Sequence, residues 1–201
     1  MQFSVAILSG GKSSRMGTDK AFVPLLGEPL IEHVIRRVRD LGQTATFIVT
    51  NNPEPYRYLG LPLYGDVFPG AGSLGGVYSA LAVSGTPYTL VVGCDMPLLN
   101  PDLLRYLVAR AAEQPGDHDA IVPRVSGVPQ GLHALYAATC REPMARRLAE
   151  GQLQIRTFFD TVRTLFVDEA EYAAYDASGQ SFRNINTPHD LAAVEQLLSS
   201  E

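Results

Sequence analysis

Short apolar segments alternate with amphipathic segments along this 201-residue chain, and the alternation limits the folds that it can adopt. Residues 88–93 are apolar almost throughout, which is typical of a strand buried on both faces of a parallel sheet. Residues 3–8 and 46–50 form two further apolar strands, and residues 29–39 between them carry apolar side chains at helical spacing. The repetition of strand, helix and strand therefore predicts a mostly parallel sheet.

The rest of the chain continues this pattern. Further strands are predicted at residues 63–67, 120–124, 132–137 and 163–167, and further helices at residues 75–83, 101–112, 142–150 and from 188 onward. No repeat, low-complexity tract or linker interrupts the pattern, and the length suits one hydrophobic core. We therefore predict a single domain, residues 1–201, with a doubly wound, Rossmann-like α/β fold and helices on both faces of the sheet.

Composition excludes several classes of function. The net charge of −5 argues against a nucleic-acid-binding surface. No apolar run approaches the length of a membrane span, and residues 3–8 are too short and lack the basic leader of a secretory signal. We expect a cytoplasmic protein without a membrane partner, in which Cys94 and Cys140 are buried free thiols.

The segment after the first strand combines glycines with positive charge. Only two of the 16 basic residues are lysines, and both of them, Lys12 and Lys20, lie in this segment together with Arg15. Gly10, Gly11 and two serines accompany them. Backbone N–H groups and cations at the exit of a strand suit a polyphosphate, although the glycine spacing matches neither a P-loop nor a dinucleotide fingerprint.

Polar side chains follow three other predicted strands. Asn51 and Asn52 come after the second strand, Asp66 after the third and Asp95 after residues 88–93. Because ligands of open α/β sheets bind outside the carboxyl ends of the strands, these side chains and the basic segment are expected at one rim. Asp95 is a candidate Mg²⁺ ligand, or it caps the next turn; Asp66 contacts a ribose or metal, or it is a solvated turn residue.

Two further pairs of polar residues are ambiguous. Asn184 and Asn186 precede a helix whose start is marked by Thr187, Pro188 and Asp190, so they either bind a ligand or tie loops together. Gln130 and His133 flank a predicted strand, and we interpret them as a satisfied surface or core pair.

These motifs resemble the molybdenum cofactor guanylyltransferases over nearly the whole chain and in the same order. The resemblance is carried by residues 8–20 (LSGGKSSRMGTDK), 26–30 (LGEPL), 72–76 (GSLGG), 94–97 (CDMP), 133–136 (HALY) and 184–188 (NINTP). The first motif marks the wider nucleotidyltransferase superfamily, and the whole set points to this family. The chain departs from it at Ser9, where the family usually has Ala, at Gly131, where Pro is common, and in a loop one residue shorter before Lys20.

The resemblance implies a nucleotidyltransferase fold that uses GTP, a molybdopterin-type acceptor and Mg²⁺. It places the metal on Asp95, and it places Asn184 and Asn186 near the bound substrates. The nucleotide-binding residues that it implies are Leu8, Ser9, Gly10, Gly11, Lys20, Asn52, Asp66 and Asp95.

The expected reaction is transfer of GMP to the terminal phosphate of molybdopterin with release of pyrophosphate. Lys20 and Arg15 would stabilise charge on the phosphates while Asp95 holds the metal. The alternatives are a related enzyme that uses CTP with molybdopterin or a nucleotide with a sugar or alditol phosphate, and a regulatory domain that binds nucleotide without turnover. Transient contact with other enzymes of cofactor biosynthesis, or with target enzymes, is also expected.

Overall fold

The structure is a computed structural model, which describes residues 1–10 and 19–199. Within those residues the strands are β1 (Phe3–Leu8), β2 (Pro24–Leu25), β3 (Glu28–Pro29), β4 (Ala45–Val49), β5 (Leu63–Tyr64), β6 (Tyr88–Gly93), β7 (Ala120–Val125), β8 (Val128–Pro129), β9 (His133–Ala137) and β10 (Thr164–Val167). The α-helices are α1 (Leu30–Val38), α2 (Gly72–Val83), α3 (Pro101–Glu113), α4 (Arg141–Ala149), α5 (Ile155–Phe158), α6 (Glu169–Tyr172) and α7 (Pro188–Ser199).

The main sheet is mostly parallel, as the alternating sequence pattern predicts. Its strand order is β10-β7-β9-β6-β1-β4-β5, and β8 pairs with β7 beside this path. Strand β1 lies between β4 and β6 and is parallel to both, whereas β9 is antiparallel to β6 and β7. The chain adds β4 and β5 on one side of β1 and then crosses to add β6 on the other side. This reversal creates a topological switch point between β1 and β6, where open α/β sheets bind ligands.

Alternate residues of the central strands support helices on both faces of the sheet. Val5 and Ile7 of β1 belong to a core shared with α1 and α3, while Ala6 and Leu8 belong to a second core shared with α2 and α4. This alternation follows from the two-residue side-chain period of a strand. The predicted doubly wound α/β fold is therefore confirmed.

A third, smaller core joins the C-terminal helix to the hairpin formed by β2 and β3. Val23, Leu25 and Leu30 from the hairpin region pack with Ile185 and with Val194 of α7. This packing brings the segment before α7 beside the residues that follow β1, although the two are far apart in sequence.

The sequence patterns missed some short elements and misplaced some boundaries. The strand predicted at residues 63–67 ends at Tyr64, before the turn that contains Asp66. The β2–β3 hairpin, the helices α5 and α6 and a 3-10 helix at Glu54–Leu59 were not predicted, because each is too short to show a period. Cys94 and Cys140 are buried free thiols, as expected. No helix within residues 1–10 and 19–199 has both the length and the apolar character needed to span a membrane.

Candidate active site

The carboxyl ends of four parallel strands meet at one rim of the sheet. Leu8 of β1 is aligned with Val49 of β4 on one side and with Gly93 of β6 on the other, and β5 continues beyond β4. The segments that leave these strands therefore start side by side. The N–H of Cys94 donates to the Leu8 carbonyl at 3.0 Å, which fixes the exit of β6 against that of β1.

Lys20, Asp95 and Asn186 converge at the switch point. The Nζ of Lys20 lies 2.5 Å from Asp95 Oδ2 and 2.6 Å from Asn186 Oδ1. The Lys20 and Asp95 side chains retain 13% and 19% of their exposure, so the pair is shielded but open to solvent on one side. We call these three residues the rim cluster, and it places a cation, a carboxylate and an amide where a phosphate would bind.

Asp95 is held by its own turn and by a neighbouring segment. Its carbonyl accepts a hydrogen bond from the Ile185 N–H at 2.9 Å. A Cβ atom built at Gly93 would lie 2.7 Å from Asp95 Oδ1, closer than real Cβ contacts, so the carboxylate orientation depends on this glycine. Burial and the neighbouring Asp95 raise the pKa of the Cys94 thiol to about 12, which keeps Cys94 in its neutral form at the site.

Asn186 is positioned by the start of α7. Asp190 Oδ2 accepts the backbone N–H groups of Asn186 and Thr187 at 3.0 and 2.8 Å, and Thr187 Oγ1 accepts the Asp190 N–H at 3.2 Å. The hydrogen bond from the Asn186 N–H, followed by those from Thr187, lowers the pKa of the Asp190 carboxyl. The predicted reciprocal cap of Thr187 and Asp190 is therefore confirmed.

A second polar group lies on the other side of the β1 exit. Asn51 Nδ2 donates to Asp66 Oδ2 at 2.9 Å, and the Asp66 N–H donates to Asn51 Oδ1 at 2.8 Å. A Cβ atom at Gly10 would lie 3.9 Å from Asp66 Oδ2, and one at Gly76 would lie 3.1 Å from a Leu8 methyl and 3.9 Å from Asp66 Oδ1. Gly10, Leu8 and Asp66 therefore line one wall, with the first turns of α2 above it.

The structure brings together most, but not all, of the residues singled out from the sequence. Lys20, Asp95 and Asn186 are in contact, and Leu8, Ser9, Gly10 and Asp66 lie at the same rim. Asn52 and Asn184 are exposed, and no described residue hydrogen bonds to either side chain. Gly11, Lys12 and Arg15 lie outside the described residues, so their predicted roles stay predictions.

Gln130 and His133 do not face the rim cluster. His133 is completely buried and packs against the Phe182 ring at 4.6 Å, while Gln130 Nε2 donates to the nearby Val128 carbonyl. Among the described residues, neither ring nitrogen of His133 has a hydrogen-bond partner of normal geometry, so the expectation that the pair is satisfied is wrong for His133. Burial lowers the pKa of His133 to about 3. It is a neutral core residue.

One residue that sequence reasoning missed is Tyr56, on the 3-10 helix after β4. It is fully buried, and its hydroxyl contacts Ser9 and Asp19, the residue before Lys20. No local pattern distinguishes it from an ordinary core tyrosine, because its partners lie 47 and 37 residues away.

The fold and the site define a class: an α/β protein with a ligand site at the switch point of a parallel sheet, where a cation, a carboxylate and amides suit a nucleotide phosphate. Comparison with known proteins narrows this class. Residues 5–165 match the MobA-like NTP transferase domain, and the chain belongs to that family.

Relatives in this family are similar over nearly their whole length. A probable molybdenum cofactor guanylyltransferase from Clostridium perfringens strain 13 is 35% identical over 188 residues, which cover 92% of this chain and 91% of that protein. One from Carboxydothermus hydrogenoformans is 31% identical over 196 residues, covering 98% and 96%. The crystal structure of molybdopterin-guanine dinucleotide biosynthesis protein A from Archaeoglobus fulgidus superposes with a TM-score of 0.84 at 28% identity, covering 98% of this chain and 100% of that one.

Proposed function

We propose that this protein transfers GMP from GTP to the terminal phosphate of molybdopterin and releases pyrophosphate. The observation that carries the proposal is the rim cluster, in which Lys20 Nζ lies 2.5 Å from Asp95 and 2.6 Å from Asn186 at the switch point. The relatives named as molybdenum cofactor guanylyltransferases support the same substrates.

The proposed reaction needs no general base. An oxygen of the acceptor phosphate forms a bond to the α-phosphorus of GTP while the bond between that phosphorus and the bridging oxygen breaks and pyrophosphate leaves. A phosphate monoester is mostly ionised near neutral pH, since its second pKa is about 6. The protein must therefore align two anions and offset their charge, for which Lys20 supplies an ammonium close to the reacting phosphates and Arg15 a second cation.

Asp95 fits the metal role that the family resemblance implies. Its Oδ2 contacts Lys20, and no described residue hydrogen bonds to its Oδ1. Mg²⁺ is usually held by one or two carboxylates together with substrate phosphates, and the described residues contain no cluster of three His, Cys, Asp or Glu side chains. Asp95 would thus bind Mg²⁺ carried by the nucleotide, and the ion would supply neutralisation of phosphate charge.

The wall formed by Leu8, Gly10 and Asp66 is the proposed site of the nucleoside, together with Ser9, Gly11 and Asn52. Among the described residues, the atom nearest to a Cβ built at Gly10 is Asp66 Oδ2 at 3.9 Å, so packing against this part of the chain does not require glycine there. The missing Cβ at Gly10 supports a purine close to the backbone. Asn51 would hold Asp66 in place, because it donates to the Asp66 carboxylate and accepts from the Asp66 backbone N–H.

The proposed reaction also implies protein partners and a cellular location. Molybdopterin would be received from, and the product handed to, other enzymes of cofactor biosynthesis or target enzymes by transient contact. A cytoplasmic location is part of the same proposal.

Pyrophosphate release tests the proposed function. We expect release with GTP, Mg²⁺ and molybdopterin, and much less with ATP, CTP or UTP, or with sugar phosphates as acceptors. Release with CTP alone would favour the cytidylyl alternative. GTP binding without release under any of these conditions would favour a regulatory domain and contradict the proposal.

Substitutions in the rim cluster test the assigned roles. Asp95→Ala is expected to bind GTP but to lose about 1,000-fold in turnover, because it removes the metal ligand and leaves Lys20 without its partner. Lys20→Ala should lose at least as much as Lys12→Ala. Asp102→Ala removes an exposed carboxylate at the start of α3 and serves as the control with normal turnover. Normal product formation by Asp95→Ala would refute the metal role.

A further inference from the structure

Tyr56 is buried between the exit of β1 and the residue that precedes Lys20. Its hydroxyl oxygen lies 2.5 Å from Ser9 Oγ and 2.7 Å from Asp19 Oδ2, and its ring packs against Phe22 with centroids 4.7 Å apart. The side chain is fully buried, so it cannot contact a substrate directly. Any influence on the reaction must pass through the residues that it touches.

The direction of these hydrogen bonds follows from the groups involved. Burial, and then the bond to Asp19, raises the pKa of Tyr56 well above its usual value, so the hydroxyl keeps its single hydrogen. The Asp19 carboxylate only accepts, and therefore Tyr56 donates to Asp19. The Tyr56 oxygen is left as an acceptor, and Ser9 is its donor. Ser9 therefore donates a hydrogen bond to Tyr56, and Tyr56 donates one to Asp19.

Asp19 sets the start of the turn that carries Lys20. Its Oδ1 accepts the Ala21 N–H at 3.2 Å, and its carbonyl accepts the Phe22 N–H at 3.0 Å, so it caps the 3-10 helix Lys20–Phe22. One carboxylate oxygen thus holds the turn while the other holds Tyr56. Both oxygens of Asp19 are fixed, and Lys20 follows a residue that is bonded to its own turn and, through Tyr56, to the segment after β4.

The geometry points to Tyr56 as a positioning residue that holds Lys20 against Asp95 and Asn186, acting through Asp19 and braced by Ser9. This inference rests on the proposed role of Lys20 as the cation that stabilises the reacting phosphates. Without the Tyr56 hydroxyl, Asp19 keeps its local cap but loses its link to the rest of the rim. Lys20 would then sample positions away from the rim cluster, and a displacement of about 1 Å is enough to cost about 100-fold in rate.

Tyr56→Phe tests this role because it keeps the ring and its packing on Phe22 and removes only the hydroxyl. We expect kcat to fall by about 10- to 100-fold while KM for GTP changes by less than about 3-fold, since the interaction lost acts on the transition state. Tyr58→Phe is the matched control: Tyr58 lies on the same 3-10 helix, is 60% exposed and donates to Glu32, and its loss should leave kcat unchanged. Assays are run well below each variant's unfolding midpoint.

A second pair of variants separates positioning from stability. Ser9→Ala should lower kcat less than Tyr56→Phe, because the Tyr56–Asp19 bond survives. Its effect on kcat should be smaller in the Tyr56→Phe background than in the wild type, since the two residues share one hydrogen bond. If Tyr56→Phe does not fold, Asp19→Asn is tested in its place. The asparagine side chain has a single oxygen, whereas the Ala21 N–H and the Tyr56 hydroxyl now donate to two. An unchanged kcat in the variant that folds, with only a lower unfolding midpoint, overturns the inference. Failure of the wild type and Tyr58→Phe to release pyrophosphate would instead contradict the proposed function.

Discussion

Glycine 93 shows how a single residue without a side chain controls the rim cluster. It ends β6 and lies two residues before Asp95, whose carboxylate folds back over it. A Cβ atom there would lie 2.7 Å from Asp95 Oδ1 and 3.5 Å from the Met96 side chain. The carboxylate can move to relieve this contact, but it then leaves its 2.5 Å contact with Lys20. The cost of a methyl group at this position should therefore appear in activity more than in stability.

We predict that Gly93→Ala lowers pyrophosphate release by about 10-fold or more, because the Asp95 carboxylate is displaced. The thermal midpoint should change little, since the displaced group is the end of a side chain that is open to solvent on one side. Gly65→Ala is the control: the added Cβ would lie 3.6 Å from its nearest neighbour, Asn51 Oδ1, an ordinary contact. Wild-type turnover by Gly93→Ala would show that the Asp95 orientation is not needed.

Helix α7 contributes to the site through its first turn. The Asp190 carboxylate accepts hydrogen bonds from Asn186 and Thr187 before the helix begins, and Ile185 packs into the small core with Val194. The helix is thus attached to the hairpin core through Val194 and, at its start, to the residue that contacts Lys20. It acts as a support for Asn186 rather than as a source of ligands.

We predict that Asp190→Ala lowers turnover by about 3- to 10-fold, because the Asn186 backbone loses the acceptor that fixes it beside Lys20. The unfolding midpoint should fall as well, since a reciprocal helix cap is lost. Asp190→Asn keeps one side-chain oxygen and should show an intermediate effect. Turnover and thermal unfolding are measured on the same samples. A lower unfolding midpoint with unchanged turnover would show that the Asp190 cap does not position Asn186 for the reaction.

The strand order of the whole sheet determines which residues can meet. Because β6 returns to the opposite side of β1 from β4, the carboxyl ends of β1 and β6 lie side by side at the switch point. The same order buries His133 at the start of β9, aligned with Val92 of β6. The strand that carries Asp95 at its end thus pairs with a strand that begins at a buried, neutral histidine.

This histidine predicts a pH dependence of global stability. The pKa of His133 falls from about 6.5 in the unfolded chain to about 3 in the folded protein. The unfolded chain therefore takes up a proton first, so the stability present above pH 6.5 is lost as the pH falls from about 6.5 towards 3. Between pH 6.5 and 5 this amounts to about 2 kcal/mol.

Urea unfolding at pH 7 and pH 5 measures the effect. His133→Met, which fills the same space without a titrating group, should lose less stability between the two pH values than the wild type. His189→Gln is the control, because His189 is exposed, and it should behave like the wild type. An equal loss in His133→Met and in the wild type would assign the acid sensitivity to other groups.

Local signals in the sequence predicted much of this architecture. The cap at Thr187 is confirmed, since a cap depends on residues within three or four positions. The apolar runs predicted the central strands, and their ends predicted that Lys20 and Asp95 meet at one rim. The contacts of Tyr56 with Ser9 and Asp19 were not predictable in this way, because they depend on the path of the chain between segments that are far apart in sequence.

The central claim is that the rim cluster binds the triphosphate of GTP. A crystal structure with GTP and Mg²⁺ tests it most directly. We expect a phosphate oxygen within about 3 Å of Lys20 Nζ, with Mg²⁺ bound between the Asp95 carboxylate and the phosphates. A triphosphate bound at another edge of the sheet, with the contact between Lys20 and Asp95 undisturbed, would contradict the account.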